Sequence, residues 1–268
     1  MSSNTPAKIL FFGDIFGKPG RHAVARVLPL LREQYNPDLV IINAENLAHG
    51  KGVTDKTLAE MTAMGVDVFT SGNHIFDKDG VNASFAQYKN LIRPLNYTGV
   101  SGEGFVRIEK YGKKFLIANI GGRVFFENQY DGIIANPFLV MDELLTQKQD
   151  DEIVFVDFHA EATSEKNAMG YYLDGRVSAI VGTHTHVPTA DAKVLPKGTA
   201  YVTDVGFCGP QVSIIGADVE STLETFLGKR EKFRMEVSED KNVDINAVLV
   251  TIEKGMNSIM RINQVVSI

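Results

Sequence analysis

Short apolar runs, each stopped by glycine or a polar residue, alternate with helical patterns along the first part of the chain. Buried strands are predicted at 8–12, 39–42 and 66–70. The spacing of apolar residues predicts a helix at 19–35, while Thr54 as N-cap and Gly65 at the far end predict a second helix at 55–64. This alternation of strands and helices predicts a parallel sheet with right-handed crossover connections.

The later part of the chain has a different pattern. Two strands separated by a polar turn predict a hairpin, Asn136-Pro137 predicts the start of a helix that runs to about 147, and two further buried strands follow. The last strands alternate as in an antiparallel pair. These strands are predicted at 105–109, 115–119, 153–158, 177–181, 246–253 and 258–266. Because no linker, repeat or low-complexity tract divides the sequence, we predict one domain over residues 1–268, with two sheets and the helices outside them.

Composition excludes several classes of protein. The hydrophobic content of 44% and charged content of 22% are ordinary for a soluble enzyme, and a net charge of −6 argues against general nucleic-acid binding. That charge still permits a small nucleotide or an RNA end as substrate. A single cysteine, Cys208, excludes an internal disulfide and a thiolate metal cage. Since no run approaches about 18 apolar residues, we predict no membrane span and a cytoplasmic enzyme.

Polar side chains with metal-binding atoms follow the predicted buried strands. In chain order they are Asp14, Glu45, Asn46, Asn73, His159, His184 and His186. Ligands of open α/β sheets gather at the carboxyl ends of strands, so we expect these side chains at one edge. Residues at i and i+2 of an extended chain project to the same side, which predicts that His184 and His186 reach one small object, a metal.

Seven nitrogen and oxygen donors are more than the three protein ligands of one catalytic zinc. They suit two metals that share a carboxylate and keep open positions for water and substrate, a recurrent device for hydrolysing phosphate esters. His74 directly follows a candidate ligand and is predicted to be the catalytic residue, a general acid for the leaving oxygen.

The ordered motifs resemble the calcineurin-like metallophosphoesterases. They are Gly13-Asp14, Asn43-Ala44-Glu45-Asn46, Gly72-Asn73-His74, Asp157-Phe158-His159 and Gly182-Thr183-His184-Thr185-His186. Two positions depart from the usual pattern of that superfamily, because Phe16 replaces a histidine and Glu45 replaces a bridging aspartate. Those departures resemble one bacterial branch, the YmdB-like phosphodiesterases, over nearly the whole chain. Segments 48–52, 158–166 and 203–206 also resemble that branch.

The resemblance implies an α/β fold, a two-sheet β-sandwich flanked by α-helices, and hydrolysis of phosphodiesters such as 2′,3′-cyclic nucleotides by a metal-bound hydroxide. It further implies two divalent or trivalent metal ions, with iron preferred and manganese or zinc as alternatives. One metal would be held by Asp14, Glu45, Asn46 and His186, and the other by Glu45, Asn73, His159 and His184. His74 matches the catalytic histidine. Asn46, as an oxygen donor in place of an imidazole, favours harder ions.

Further side chains are candidates for substrate contacts. They are Asn73, which would hold phosphoryl oxygens, His49 and Lys51 in a glycine-rich loop, and Arg123 after Gly121-Gly122. For His49, Lys51 and Arg123 an ordinary solvated loop residue is the competing interpretation. Glu161 and Glu165 could orient ligands, although Ser164 with Glu165 is explained more simply as the start of a helix that runs to Tyr172.

Two other functions remain open at this point. The same metal centre could serve a phosphomonoesterase or protein phosphatase, or the chain could be a non-catalytic regulator that binds nucleotides. A homo-oligomer is the default expectation for such an enzyme.

Overall fold

The computed structural model describes residues 5–126, 133–230, 235–253 and 256–268, and its strands form two six-stranded sheets. The first sheet has the order β12-β11-β10-β1-β2-β3 and the second has the order β4-β5-β6-β7-β9-β8. The strands are β1 (Ala7–Ile15), β2 (Leu39–Asn43), β3 (Val68–Thr70), β4 (Phe105–Lys110), β5 (Lys113–Gly121), β6 (Glu152–His159), β7 (Ala179–Thr183), β8 (Lys193–Val194), β9 (Ala200–Val202), β10 (Phe207–Pro210), β11 (Asn242–Ile252) and β12 (Ser258–Ser267). The α-helices are α1 (Gly17–Tyr35), α2 (Asp55–Ala63), α3 (Val81–Gln87), α4 (Pro137–Thr146), α5 (Thr163–Leu173) and α6 (Val219–Phe226).

The predicted strand–helix alternation of the first part is confirmed. β1, β2 and β3 pair in parallel, with α1 and α2 as the intervening helices. The hydroxyl of Thr54 accepts a hydrogen bond from the Thr57 backbone N–H at 3.3 Å, so Thr54 caps α2 as predicted. The predicted hairpin is also present, since β4 and β5 pair antiparallel. In the second sheet β5, β6, β7 and β9 run parallel.

Alternation along the strands sends side chains to two different cores. Ile9 and Phe11 of β1 face the second sheet, and the Phe11 ring lies 5.4 Å from that of Phe155. Leu10 and Phe12, the intervening residues, pack under α1 and α2. The outer face of the second sheet is covered in the same way by α4 and α5. The predicted two-sheet sandwich with helices outside is therefore confirmed.

The structure corrects the prediction that all ligand-bearing strands end at one sheet edge. β1, β2 and β3 belong to the first sheet, whereas β6 and β7 belong to the second. The error arose because parallel strands from two stacked sheets give the same apolar pattern in the sequence. β1 also runs on to Ile15, so Asp14 lies inside the strand rather than after it. No helix among the described residues is long and apolar enough to cross a membrane.

Candidate metal centre

The first sheet contributes oxygen donors. Asp14 lies near the end of β1, Glu45 and Asn46 follow β2, and Asn73 begins a short 3-10 helix after β3. All four side chains are buried. A buried carboxylate is costly unless it is paired or binds a metal, so this arrangement is typical of a functional site.

The second sheet contributes imidazoles. His159 is the last residue of β6, while His184 and His186 follow β7. The expectation that His184 and His186 point together from extended backbone is wrong. Both have positive φ, 101° and 65°, because the chain bends sharply after Thr183. As a result their rings face different groups: His184 lies against His159, and His186 lies against Asn46.

One cluster of donors surrounds His159. Its Nε2 lies 3.2 Å from the Glu45 Oε2, 3.2 Å from the Asn73 Oδ1 and 3.0 Å from the His184 Nδ1. The ligand atoms of Glu45, His159 and His184 all lie within 4.8 Å of one another. We call Glu45, Asn73, His159 and His184 the His159 cluster.

A second cluster surrounds His186. Its Nε2 lies 3.1 Å from the Asn46 Nδ2 and 3.8 Å from the Asp14 Oδ1. The Asn46 Nδ2 is also 3.4 Å from the Asp14 Oδ1 and 3.4 Å from the Glu45 Oε1. A half-turn of the Asn46 amide would bring its carbonyl oxygen to the same place. We call Asp14, Glu45, Asn46 and His186 the His186 cluster.

Glu45 belongs to both clusters through different oxygens. Its Oε1 faces Asn46, and its Oε2 faces His159 and also accepts from the His74 backbone N–H at 3.2 Å. The space around it depends on Gly72, where a Cβ would lie 2.1 Å from the Glu45 Oε2 and 2.2 Å from the His159 Nε2. A side chain at position 72 would therefore fill the place where these two donors converge.

Burial and mutual charge shift the pKa values of the cluster. For His159, burial lowers the pKa, but the Glu45 carboxylate outweighs burial and raises it to about 9. For Glu45, burial acts upward and His159 outweighs it, so the pKa lies below its usual range. Burial raises the pKa of Asp14 and lowers that of His186. Burial, aided by His159, also lowers the pKa of His184 to about 2, which keeps its ring neutral.

Each imidazole has an acceptor for its outer nitrogen. The outer Nδ1 of His159 lies 2.9 Å from the Thr183 hydroxyl, whose own proton goes to Asp157 at 2.7 Å. The outer Nε2 of His184 lies 2.9 Å from the Glu161 carboxylate, and the outer Nδ1 of His186 lies 2.8 Å from the Ile215 carbonyl. These partners fix the tautomers so that one nitrogen of each ring points inward with a lone pair for a metal.

A buried ion pair supports the bend that carries the two late histidines. The Lys166 Nζ lies 2.6 Å from the Asp204 Oδ2, and both side chains are 1% exposed. The same carboxylate oxygen accepts from the backbone N–H of Thr185 at 3.2 Å and from its hydroxyl at 2.7 Å. Thr185 lies between His184 and His186, so the ion pair holds their backbone in its bent form.

Phe16, which stands where the superfamily has a histidine, packs on His186 instead of donating to a metal. Its ring meets the His186 ring edge-on at 5.6 Å, and Phe207 stacks on the same imidazole at 5.3 Å with an interplanar angle of 2°. The substitution thus exchanges a ligand for a wall that fixes the plane of another ligand.

His74 lies at the edge of the site and is held by Asp77. The His74 Nδ1 lies 2.9 Å from the Asp77 Oδ2, one turn along the 3-10 helix Asn73–Phe76. Lys51 approaches the same oxygen at 3.8 Å. With Nδ1 occupied, Nε2 is the nitrogen left for a substrate. His74 lines a cavity of about 360 Å³ together with Glu45, Asn46, His184 and His186.

The remaining predicted substrate contacts lie elsewhere. The cavity is lined by Gly50 rather than by the exposed His49, and neither Lys51 nor Arg123 is among its lining residues. The capping interpretation of Ser164 and Glu165 is wrong. α5 begins after Ala162 without a side-chain cap, and the Glu165 carboxylate instead accepts from the backbone N–H groups of Arg123 and Val124 at 2.9 and 3.2 Å.

Sequence reasoning missed the residues that orient the ligands. They are Asp77, Asp157, Thr183, Lys166, Asp204 and the Ile215 carbonyl. Asp77 had a signal in its i+3 spacing from His74, and Lys166 and Asp204 lay in segments singled out for their resemblance. The Ile215 carbonyl had none, because every residue has a carbonyl.

The donors present fit a metal centre. Carboxylate, amide and imidazole groups converge, the imidazole tautomers are set, and Gly72 leaves the converging donors room. Hard-to-borderline ions such as iron, manganese or zinc suit a mixed nitrogen and oxygen set without thiolates.

Comparison with known proteins gives consistent matches over nearly the whole chain. Residues 10–265 match the model of a family described as "YmdB-like protein". A protein of Bacillus subtilis (strain 168) named 2′,3′-cyclic-nucleotide 2′-phosphodiesterase is 42% identical over 260 residues, which cover 96% of each chain. A crystal structure of a novel phosphatase from Mycoplasma pneumoniae is 38% identical with a TM-score of 0.90, covering 98% of this chain and 94% of that one. A crystal structure of a hypothetical protein from Thermus thermophilus is 41% identical with a TM-score of 0.88, covering 96% of this chain and 99% of that one.

Proposed function

The chain belongs to the YmdB-like protein family, and on that premise we propose that it is a metal-dependent phosphodiesterase acting on 2′,3′-cyclic nucleotides through two metal ions. The relative from Bacillus subtilis carries that substrate in its name, and the shared length leaves no large part of either chain unmatched. The family and the donor set agree on a phosphoester hydrolase that needs metal.

The observation that carries the proposal is the division of Glu45 between two clusters. Its Oε1 is near the His186 cluster and its Oε2 belongs to the His159 cluster. This arrangement supports one carboxylate serving two metals, with Asp14, Asn46 and His186 holding one ion and Asn73, His159 and His184 holding the other. When bound, such a pair lowers the pKa of a coordinated water and neutralises charge on the phosphoryl oxygens.

The residues of the chain supply orientation and a proton. The Asn73 amide, beside His159, is available to hold a phosphoryl oxygen at the cluster. His74 borders the same cavity and donates a proton from Nε2 to the leaving ribose oxygen. Asp77 accepts from Nδ1, which fixes the ring and stabilises the imidazolium that must be present before the proton is given up.

We further propose iron as the metal, with manganese or zinc as alternatives, because four of the seven donor side chains offer oxygen. The substrate would be a small nucleotide or the cyclic phosphate at an RNA end. A cytoplasmic location and a homo-oligomer remain predictions. Cys208, the single cysteine, is a buried free thiol, which is compatible with a reducing compartment.

The test couples metal content to a substrate panel. Protein purified without air or added metal is analysed for bound metals and assayed with 2′,3′-cAMP, 3′,5′-cAMP and p-nitrophenyl phosphate, with products resolved by chromatography. We expect two metal ions per chain and conversion of 2′,3′-cAMP to a nucleoside monophosphate. Faster hydrolysis of the monoester would favour a phosphatase. Nucleotide binding without any product at full metal loading would favour a regulator.

A further inference from the structure

Part of the lining of the active-site cavity is apolar. Besides the ligands and His74, the cavity of about 360 Å³ is bordered by a group that we call the apolar wall: Ile214, Ile215, Ala217, Phe226 and Met235. The turn after β10 provides the first three and the end of α6 provides Phe226. The polar donors alone account for the phosphate, so the wall needs a separate explanation.

Two members of the wall expose large apolar side chains. Ile215 is 53% exposed and Phe226 is 79% exposed. A single exposed apolar residue is ordinary, but here two border the same cavity as the proposed catalytic residue. Continuity with a catalytic cavity indicates that the group covering them is part of the substrate.

The backbone of Ile215 is strained, and a contact to a ligand accounts for its persistence. Its φ is 48°, a left-handed conformation that β-branched residues rarely adopt. Backbone hydrogen bonds of 2.9 and 3.0 Å between Ile214 and Ala217 close the turn, and the Ile215 carbonyl accepts from His186. The turn that orients a candidate metal ligand therefore also fixes the direction of the Ile215 side chain.

The charge of the lining limits what the wall can bind. Among the described residues that line the cavity there is no lysine or arginine. A second phosphate or a carboxylate would require such a cation, whereas a neutral, flat group suits an apolar wall with an aromatic ring. Aromatic side chains stack on nucleobases without strong preference for sequence.

We propose that the apolar wall binds the nucleobase of the substrate, with Phe226 as the stacking surface and Ile215 packing against the base. This inference rests on the proposed phosphodiesterase function and narrows its substrate to nucleotides, as opposed to base-free phosphodiesters or phosphoproteins. The base would bind beside Phe226 while the cyclic phosphate lies at the Glu45 end of the cavity.

The test compares two substrates that differ only in the base. Steady-state kinetics are measured with 2′,3′-cAMP and with methyl riboside 2′,3′-cyclic phosphate, for the wild type, Phe226→Ala and Leu227→Ala. Leu227 is the matched control, since it is the adjacent residue, is 66% exposed and lines a neighbouring cavity instead. We expect Phe226→Ala to raise KM for 2′,3′-cAMP by about 5- to 150-fold, the range of one stacked base, and to leave the base-free substrate unchanged.

A third variant examines the turn. Ile215→Asn keeps the backbone carbonyl and tolerates positive φ, so His186 stays oriented and metal content should equal that of the wild type. The expected result is a raised KM for 2′,3′-cAMP alone. A loss of metal together with equal loss on both substrates would instead mean that Ile215 acts only through His186.

Binding separates this inference from the proposed function. Equilibrium dialysis of adenosine against wild type and Phe226→Ala needs no turnover, and we expect the variant to bind at least about 5-fold more weakly. If the wild type hydrolyses neither substrate, the phosphodiesterase proposal fails and dialysis alone decides the wall. If it hydrolyses both with equal kcat/KM, or if Phe226→Ala matches Leu227→Ala, the wall does not bind the base.

Discussion

The two sheets meet at the same site but supply different chemistry. The first contributes oxygen donors, Asp14, Glu45, Asn46 and Asn73, while the second contributes the three imidazoles. The oxygen donors on the first sheet need little further orientation, because both oxygens of a carboxylate can bind a metal. An imidazole must present the correct nitrogen, so the second sheet carries an additional set of buried partners.

The comparison teaches that the charge of the site and its geometry are set by different parts of the chain. Changes on the first sheet should remove metals outright. Changes behind the second sheet should weaken metal binding in graded steps. The following predictions, from the largest expected effect to the smallest, test that difference.

Glu45→Gln is the strongest test of the first sheet. It removes the negative charge shared by both clusters, so we expect both metals to be lost and hydrolysis with them, with metal affinity at least about 100-fold weaker. Metal analysis after dialysis measures the effect. Glu60→Gln is the control, since Glu60 forms a partly exposed ion pair with Arg21 and such pairs contribute little. Loss of only one metal would show that Glu45 is not shared.

His74→Ala tests the residue that lies at the rim rather than among the ligands. We expect kcat for 2′,3′-cAMP to fall by about 10²- to 10⁴-fold while metal content stays unchanged, because a proton donor is lost and a ligand is not. His22→Ala, an exposed histidine on α1, is the control. Unchanged kcat removes His74 from the mechanism, and loss of metal makes it a ligand.

Lys166→Met tests the support behind the second sheet. With Asp204 unpaired, the bend at Thr185 should loosen and metal affinity should fall by about 10- to 100-fold, measured by titration calorimetry. Breaking a buried ion pair costs about 3–5 kcal/mol of stability, so thermal unfolding is followed in parallel.

The double variant Lys166→Met/Asp204→Asn shows whether the pair acts on the bend or only on stability. It removes both charges and should recover thermal stability without recovering metal affinity. If both recover together, the ion pair stabilises the fold and does not position the histidines.

The pH dependence of metal binding is the mildest effect. Without a metal, Glu45 raises the pKa of His159 from about 6.5 to about 9, so the ring holds a proton at neutral pH that the metal must displace. Metal affinity should rise about tenfold per pH unit up to about 9, with one proton released per binding event, measured in buffers of different ionisation enthalpy. Below the usual histidine pKa of about 6.5 this raised pKa stabilises metal-free protein fully, and the stabilisation is lost as pH rises through about 9. Binding without proton release would contradict the assignment.

Much of the fold could be predicted because apolar periodicity reflects burial. β1, β2, β3 and their crossover helices were predicted, as were the β4–β5 hairpin and the α4 start at Asn136-Pro137. The pattern did not reveal α3 or the division of strands between two sheets. That residues 1–268 form one domain stays a prediction, supported by the core that both sheets share.

The donors of the site could be predicted because they follow apolar strands, whereas their orientation could not. His184 and His186 adopt positive φ as a result of contacts with Asp204, which is distant along the sequence. A backbone acceptor such as the Ile215 carbonyl leaves no trace in residue type. Local pattern thus identifies the ligands, and long-range contacts decide which way they face.

The division of donors between two sheets also has a consequence for synthesis of the protein. The ribosome releases Asp14 and Glu45 early and His186 late, so a partly made chain has acidic groups but no complete cluster. The centre can close only when β7 has packed beside the completed first sheet. Metal uptake should therefore mark the finished fold, and nascent chains should bind such ions only weakly.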